Sequence, residues 1–210
     1  MDKNVNIFGD ITAMPRAQSD VSAESVLNLI QDATKADKLF ININSYGGEV
    51  FEAIAIANII ASCPAPKIFN VIGICASATT MIFNATDKVN IARGAMVMYH
   101  KPIGEVVGNS IQLRKTAKLL DKIEKENVMA NLMTRTNKPL EYLTPLVENE
   151  WWLSSEEAVQ MLGFIDAGVP AIENRAQTTQ IGIYKNYIAR KKALASNAYQ
   201  IFINHKSKLK

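Results

Sequence analysis

Apolar and polar residues follow two different periods along the first 166 residues of the chain. Three runs rich in β-branched and aromatic residues have the composition of strands, at residues 5–8, 39–44 and 68–72. Residues 22–36 and 49–60, which lie among these runs, carry apolar side chains at helical spacing. Strands that alternate with helices in this way predict an α/β fold.

The uncharged stretch at residues 68–86 is 19 residues long, which is enough to cross a membrane. It contains a glycine and several polar side chains, among them Asn70, Ser77 and Asn84. A strand followed by a buried helix accommodates these residues better than a membrane span does. We therefore predict a protein without a membrane segment.

The longest helical pattern lies at residues 110–135. Asn109 and Ser110 can cap its first turn, and the sequence NKP at 137–139 ends it. Apolar residues recur near helical spacing, and charged residues cover the remaining surface. This predicted helix is longer than one small core requires.

Charge is unevenly distributed along the 210 residues. Residues 171–210 contain eight Lys or Arg and one Glu, a net charge of +7, whereas the whole chain carries +3, so residues 1–170 carry −4. We predict a globular domain at 1–170, with enough apolar residues for a large core, and a basic, partly helical extension at 171–210. The extension is interpreted either as a solvated appendage or as a contact for an acidic partner.

The two cysteines, Cys63 and Cys75, match no metal or redox spacing and fit a reducing cytosol. The first residues do not combine a basic start with an apolar stretch, so no secretion signal is expected. We therefore expect a cytoplasmic protein.

Ser77 lies where the predicted strand at 68–72 gives way to a helix-forming stretch at 78–83. Such a corner exposes the serine hydroxyl, and the N–H groups that begin the helix face the same space. Acyl-transfer enzymes need this combination of a nucleophile and donors that stabilise an anion. A small residue retained for close packing is the alternative interpretation.

A second strand–helix junction carries the glycine pair Gly47 and Gly48. Glycine allows the backbone to turn tightly and to aim N–H groups outward. One interpretation is an ordinary turn. The other is an oxyanion hole formed by the N–H groups of Gly48 and Ala78.

His100 ends an apolar strand, whereas the second histidine of the chain, His205, lies in the basic C-terminal stretch. An imidazole titrates near neutral pH and suits a general base acting on Ser77. Cys75 is an alternative nucleophile for the same base. Its position inside the strand makes a small buried hydrophobe the simpler interpretation.

Four ordered segments resemble the proteolytic subunit of the Clp protease (ClpP), and more closely its phage and prophage relatives, the head-maturation proteases. They are ININSYGG at 41–48, GICASA at 73–78, MVMYHKP at 96–102, and EWWLSSEEAV at 150–159 with GFID at 163–166. The resemblance covers roughly residues 5–169. It implies a spiral of ββα units, shared with the crotonases, with the long helix as a handle that interlocks two heptameric rings. A helix packed on its own subunit is the alternative.

The resemblance also implies a catalytic triad of Ser77, His100 and Glu150, with Gly48 and Ala78 as oxyanion donors and no metal or cofactor. Cellular ClpP has an aspartate as the third member, and the glutamate here is one methylene longer. A glutamate can also orient an imidazole. Asp166 is the alternative acid, and it otherwise ends a core strand.

Two departures from cellular ClpP favour the phage branch. Ala78, Thr79 and Thr80 follow the nucleophile, where cellular ClpP has a methionine and a glycine. The chain also enters its first strand at Val5, without the stretch that forms axial-pore loops in cellular ClpP, so we do not expect an unfoldase ATPase as partner.

These features together predict a ring-forming serine endopeptidase that processes phage capsid or scaffold proteins, in the host cytoplasm if it is phage-encoded. A housekeeping ATP-dependent ClpP subunit is the alternative within the family. Two rivals come from other classes: a crotonase-fold acyl-CoA enzyme, which polarises a thioester without a Ser–His pair, and a non-catalytic assembly protein.

Overall fold

The structure is a computed structural model that describes residues 2–35, 37–86 and 88–168. The predicted α/β class is confirmed, because helices alternate with the strands of one sheet. The predicted extension at 171–210 lies outside the described residues, so its boundary with the domain at 1–170 stays a prediction.

The described chain contains seven strands and six α-helices. The strands are β1 (Lys3–Ile11), β2 (Leu39–Gly48), β3 (Lys67–Ala76), β4 (Val89–Ile91), β5 (Met96–Tyr99), β6 (Trp151–Leu153) and β7 (Ile165–Asp166). The α-helices are α1 (Ala23–Ile30), α2 (Val50–Ser62), α3 (Ser110–Ile123), α4 (Ala130–Thr136), α5 (Leu140–Glu148) and α6 (Ser155–Leu162).

The uncharged stretch divides into a strand and a helix, as predicted. β3 is followed directly by a 3-10 helix, Ser77–Ala85, whose side chains are buried from Ala78 to Phe83. No helix in the described part of the chain combines the length and apolarity needed to cross a membrane.

The sheet divides at β3, which pairs with two different strands along its length. The order β1-β2-β3-β4-β7 is parallel throughout, and the first half of β3 pairs with β4 from Phe69 to Val71. The second half pairs with β5 from Ile74 to Ala76. β6 then adds to β5 in the antiparallel direction. Because of this division, β5 and β6 lie beside the end of β3 at which the 3-10 helix begins.

One face of the parallel sheet is covered by helices and forms the core. Along β2, Leu39, Ile41 and Ile43 are fully buried, while the residues between them are partly exposed. α2 contributes Ala53 and Ile60 to the same core, as its helical spacing predicted. The apolar side chains at alternate positions of β2 and those at helical spacing on α2 therefore pack together in one apolar layer.

A row of asparagine side chains crosses the other face of the sheet. Asn42 Nδ2 donates to Asn6 Oδ1 at 3.0 Å, Asn70 Nδ2 donates to Asn42 Oδ1 at 3.1 Å, and Asn90 Nδ2 donates to Asn70 Oδ1 at 3.0 Å. The four residues are register partners on β1, β2, β3 and β4. We call this row the asparagine ladder.

The predicted long helix is present, and its regular geometry is interrupted once. α3 continues through a π-helical segment, Glu124–Met129, into α4. Asn109 caps the first turn, as predicted, with its side chain accepting from the N–H groups of Ile111 and Gln112. Asn137 ends the helix in the left-handed conformation that is common at helix C-termini.

Only the second half of this long helix is anchored in the core. Val128, Met129 and Leu132 are buried, and Arg135 stacks over the ring of Phe83 at 5.4 Å. α3, which is described throughout, has a single buried residue, Ile123. The first half of the helix therefore leaves apolar side chains in solvent.

Candidate active site

Ser77 occupies the corner that its sequence predicts, in a strained backbone conformation. It is the first residue after β3, its φ is +57°, and its side chain is partly exposed between buried neighbours. A left-handed φ costs an L-residue about 1–2 kcal/mol. Strain of this kind at a strand-to-helix turn exposes the hydroxyl of the nucleophile in α/β-hydrolases.

His100 lies beside Ser77 because β3 and β5 are parallel neighbours. Ala76 on β3 pairs with Met98 on β5, and Ser77 and His100 are the first residues after these two strands. His100 Nε2 lies 2.6 Å from Ser77 Oγ. In the neutral tautomer protonated at Nδ1, Nε2 accepts the serine proton, which is the geometry needed for general-base activation.

Glu150 immediately precedes β6, the strand that pairs with β5, and His100 immediately follows β5. The last register pair of the two strands is Tyr99 with Trp151, so His100 and Glu150 are the next residues at the same end of this pairing. Glu150 is exposed and has a φ of +56°. Asp166, the alternative acid, belongs to β7 beside β4, and its carboxylate accepts from the N–H of Gly168 at 2.8 Å. The two acids therefore lie on different branches of the sheet.

Cys75 lacks the properties of a nucleophile. It is fully buried within β3, where it pairs with Val97, and burial raises the pKa of its thiol well above the ordinary value. A reactive cysteine requires a thiolate and access to substrate. The structure therefore favours the simpler interpretation of Cys75 as a small core residue.

Gly47, near the end of β2, lies directly against Ser77. A Cβ on Gly47 would lie 2.8 Å from Ser77 Cβ and 3.0 Å from the backbone N of Ala78, so a side chain there is excluded. The N–H of Gly47 donates to Ser45 Oγ at 3.1 Å. Of the two glycines, Gly48 is therefore the one whose N–H remains a candidate for substrate.

The next residue along the chain bonds back to β1. The N–H of Glu49 donates to the carbonyl of Ile11 on β1 at 2.8 Å. The N–H groups on both sides of Gly48 therefore have partners within the protein, that of Gly47 on Ser45 Oγ and that of Glu49 on Ile11.

A small cleft opens beside Ser77. Its cavity volume is about 20 Å³, and it is lined by Val50, Ser77, Ala78, Thr80, Met81, Tyr99, His100, Pro102 and Val128. The lining beyond Ser77 and His100 is mainly apolar, which suits an uncharged side chain of a substrate. Within the described ranges, no three potential metal ligands lie together.

Lys101, the residue after His100, forms ion pairs with two helical elements. Its Nζ lies 2.9 Å from Glu148 Oε1 on α5 and 3.5 Å from Glu124 Oε2 at the start of the π-helical segment. The hydrogen bond to Glu148 raises the pKa of Lys101 above its ordinary value. The segment next to His100 is therefore connected to these helices by ion pairs that the sequence patterns did not indicate.

Two buried hydroxyls near Ser77 were also not predicted from the sequence. Thr79 Oγ1 donates to Ser45 Oγ at 3.0 Å, and both side chains are fully buried. The available signal was the serine itself, a polar residue at a position of β2 that faces inward by the period-two pattern.

A family model described as Clp protease matches residues 9–171 of the chain. The chain belongs to the Clp protease family. It is 29% identical over 157 residues to the ATP-dependent Clp protease proteolytic subunit 1 of Bacillus cereus, a match that covers 72% of this chain and 80% of the relative. It is 31% identical over 147 residues to the ATP-dependent Clp protease proteolytic subunit of Leuconostoc citreum, covering 65% and 68%.

The fold of this Clp protease is shared with a solved structure. A point mutant of ClpP1 from Listeria monocytogenes superimposes with a TM-score of 0.64, at 24% identity, over 82% of this chain and 92% of the other. The predicted ClpP-type fold and the predicted enzyme class, a serine-type peptidase, are both confirmed.

Proposed function

We propose that this Clp protease is an endopeptidase that uses Ser77 as nucleophile, His100 as general base and Glu150 as the orienting acid. The observation that carries the proposal is the distance of 2.6 Å between His100 Nε2 and Ser77 Oγ. A fluorophosphonate reacts with serines activated in this way, and peptide mapping should find the label on Ser77. Label on another residue, or no label, would contradict the proposal.

The proposed reaction passes through an acyl-enzyme. Ser77 Oγ attacks the scissile carbonyl carbon while its proton moves to His100 Nε2. The tetrahedral intermediate then collapses as the C–N bond breaks, and His100 returns the proton to the leaving amine. Water, deprotonated by the same imidazole, hydrolyses the ester and restores the Ser77 hydroxyl.

Two backbone N–H groups are proposed to bind the oxyanion of each intermediate. The N–H of Ala78 begins the 3-10 helix, where a backbone donor has no intrahelical acceptor. The N–H of Gly48 comes from the neighbouring turn, which contacts Ser77 and Ala78 through Gly47. Preorganised donors of this kind contribute about 10²–10³-fold each to the rate.

The Ser–His contact weighs against the rivals from other classes. A crotonase-type acyl-CoA enzyme needs the paired N–H groups but no activated serine, and a non-catalytic assembly protein needs neither. The contact between Ser77 and His100 has a direct use only in nucleophilic catalysis.

We propose that the protein works as a ring-shaped homo-oligomer. The first half of the long helix exposes Ile111 by 60%, Leu113 by 46% and Leu119 by 46%, although it packs on little of its own subunit. Burying these side chains between copies would stabilise an assembly by about 25 cal/mol per Å² of apolar surface. The relatives are named as proteolytic subunits, which agrees with an assembled enzyme.

Activity should therefore depend on protein concentration. We expect light scattering at micromolar concentration to give the mass of several subunits, and specific activity to fall on dilution. Leu113→Glu and Leu119→Glu, which place charges on the exposed half of the helix, should lower both mass and activity together. A fully active monomer would contradict the proposal.

The substrates we propose are assembly proteins of a viral capsid. Two features of the sequence support this: the segment Ala78-Thr79-Thr80 resembles the phage branch, and residues 171–210 carry a net charge of +7. A basic segment attracts an acidic partner such as a scaffold protein. Attachment of that kind raises the effective substrate concentration, often to the millimolar range, so a modest intrinsic rate suffices.

Deletion of residues 171–210 should impair cleavage of the cognate scaffold or capsid protein more than cleavage of a short peptide. High salt should reproduce the deletion, because exposed charges are screened within about 10 Å at 0.1 M. Equal loss on both substrates would contradict substrate recruitment. ATP-dependent degradation of a folded protein with a partner ATPase would instead support the housekeeping function that the relatives' names describe.

A further inference from the structure

We infer that the Ser45 hydroxyl links the two arms of the oxyanion hole and, together with Thr79, fixes the distance between them. Both residues are positioning residues for the proposed reaction, and the inference rests on the proposed function. The hydrogen bonds that connect Ser45 and Thr79 to each other, to Gly9 and to Gly47 do not include Ser77 Oγ or His100.

Ser45 Oγ is a hub whose hydrogen-bonding capacity is fully used. It donates its one proton to the carbonyl of Gly9 on β1 at 2.5 Å. It accepts from the N–H of Gly47 at 3.1 Å and from Thr79 Oγ1 at 3.0 Å. A hydroxyl has one donor and two acceptor sites, so no alternative arrangement satisfies more of these groups.

The hub connects the residues adjacent to both proposed donors. Gly47 immediately precedes Gly48, and Thr79 immediately follows Ala78. Through Ser45, the end of β2 and the first turn of the 3-10 helix are joined by two hydrogen bonds, in addition to the packing of Gly47 on Ser77. The third bond fixes the pair to β1.

Burial makes this arrangement rigid. Ser45 and Thr79 are both 0% exposed. A buried hydroxyl that loses its partner cannot regain a hydrogen bond from water, so arrangements that break the observed network are disfavoured. Oxyanion donors act by being in place before the charge develops, and a displacement of about 1 Å can cost a large part of their effect.

Thr79→Val tests the link, since it removes the hydroxyl and keeps the β-branched shape. We expect kcat on a short peptide to fall about 10- to 100-fold, less than loss of an entire donor, which costs about 10²–10³-fold. KM should stay within about 2-fold, because the cleft does not contain Thr79. The rate of fluorophosphonate labelling should fall in parallel, since phosphonylation also develops charge on an oxygen.

Thr79→Ser and Thr144→Val are the matched controls. Thr79→Ser retains the hydroxyl and should restore most of kcat. Thr144 on α5 bonds only its own helix, through Oγ1 to the carbonyl of Leu140 at 2.9 Å, and its replacement by Val should leave kcat unchanged. The melting temperature of each variant separates loss of folded protein from loss of rate.

Ser45→Ala provides a second route to the same result if Thr79→Val folds poorly. Ser45→Ala should lower kcat at least as much as Thr79→Val does. The kcat of the double variant should be little lower than that of Ser45→Ala, because both substitutions remove the same Ser45–Thr79 hydrogen bond. Equal kcat and equal labelling rates in wild type and both single variants would overturn the inference. If Ser77 of the wild type is not labelled at all, the proposed function has failed.

Discussion

Ser77→Ala should abolish peptidase activity while the protein remains folded. The variant removes the oxygen that forms the acyl-enzyme, and in serine hydrolases such a loss lowers kcat by roughly 10⁶-fold. Alanine retains the Cβ and the packing of the corner, so the melting temperature should change little. The measurements are peptide hydrolysis, fluorophosphonate labelling and thermal unfolding of the same preparation.

Two further serine variants sharpen this result. Ser62→Ala, on the exposed surface of α2, should be fully active. Ser77→Gly should be as inactive as Ser77→Ala and more stable by about 1 kcal/mol, because glycine adopts the observed φ of +57° without strain. Activity of Ser77→Ala near the wild-type level would refute the assignment of the nucleophile.

Glu150→Gln should lower the rate by about 10²–10⁴-fold, by analogy with other triads in which the acid becomes an amide. The amide has the shape of the carboxylate but lacks the charge that stabilises the imidazolium formed when His100 takes the serine proton. Binding of a short peptide does not involve this charge, so the loss should appear in kcat. Steady-state kinetics on the folded variant measures it.

The chain offers two carboxylates as controls for Glu150. Asp166→Asn changes the alternative acid, which belongs to the β4–β7 branch of the sheet, and should retain most of the activity. Glu148→Gln removes a nearby charge that bonds Lys101, and should cost far less than Glu150→Gln. An inactive Asp166→Asn with a fully active Glu150→Gln would show that the acid has been wrongly placed.

The sequence predicts those features of the candidate site that depend only on residues close together along the chain. β-Branched residues followed by small ones are enough to place Ser77 at a strand–helix corner, and the end of an apolar strand is enough to place His100 at an edge. Their contact is not local, because it depends on which strand pairs with the second half of β3. The family resemblance implied that Ser77 and His100 act together, but composition and periodicity do not specify which strands pair.

Features that depend on distant partners were missed or only partly predicted. The hydrogen bond between Thr79 and Ser45 joins residues that are 34 positions apart. In the sequence alone, Ser45 is typical of an ordinary turn and Thr79 is typical of the start of a helix. The long helix was predicted from its period, but its π-helical segment was not. That segment lies where the helix first contacts the core, and tertiary contacts at such a point override a uniform period.

The asparagine ladder has a consequence for how the strands find their alignment. A slip of one residue turns every apolar side chain of a strand outward and is strongly disfavoured, whereas a slip of two restores the alternation and leaves the apolar pattern satisfied. The ladder penalises this second error between β2 and β3, because Asn42 would then face Ile68 or Ile72 in place of Asn70.

The ladder does not exclude one of the two possible slips between β1 and β2. β1 carries Asn4 as well as Asn6, and β2 carries Asn44 as well as Asn42, so a slip that moves Asn4 opposite Asn42 still pairs amide with amide. The alignment of β1 must instead come from the end of the strand, where the carbonyl of Gly9 accepts from Ser45 and that of Ile11 accepts from the N–H of Glu49. The Ser45 hydroxyl, which also bonds Gly47 and Thr79 beside Ser77, thus contributes to the correct register of the first strand.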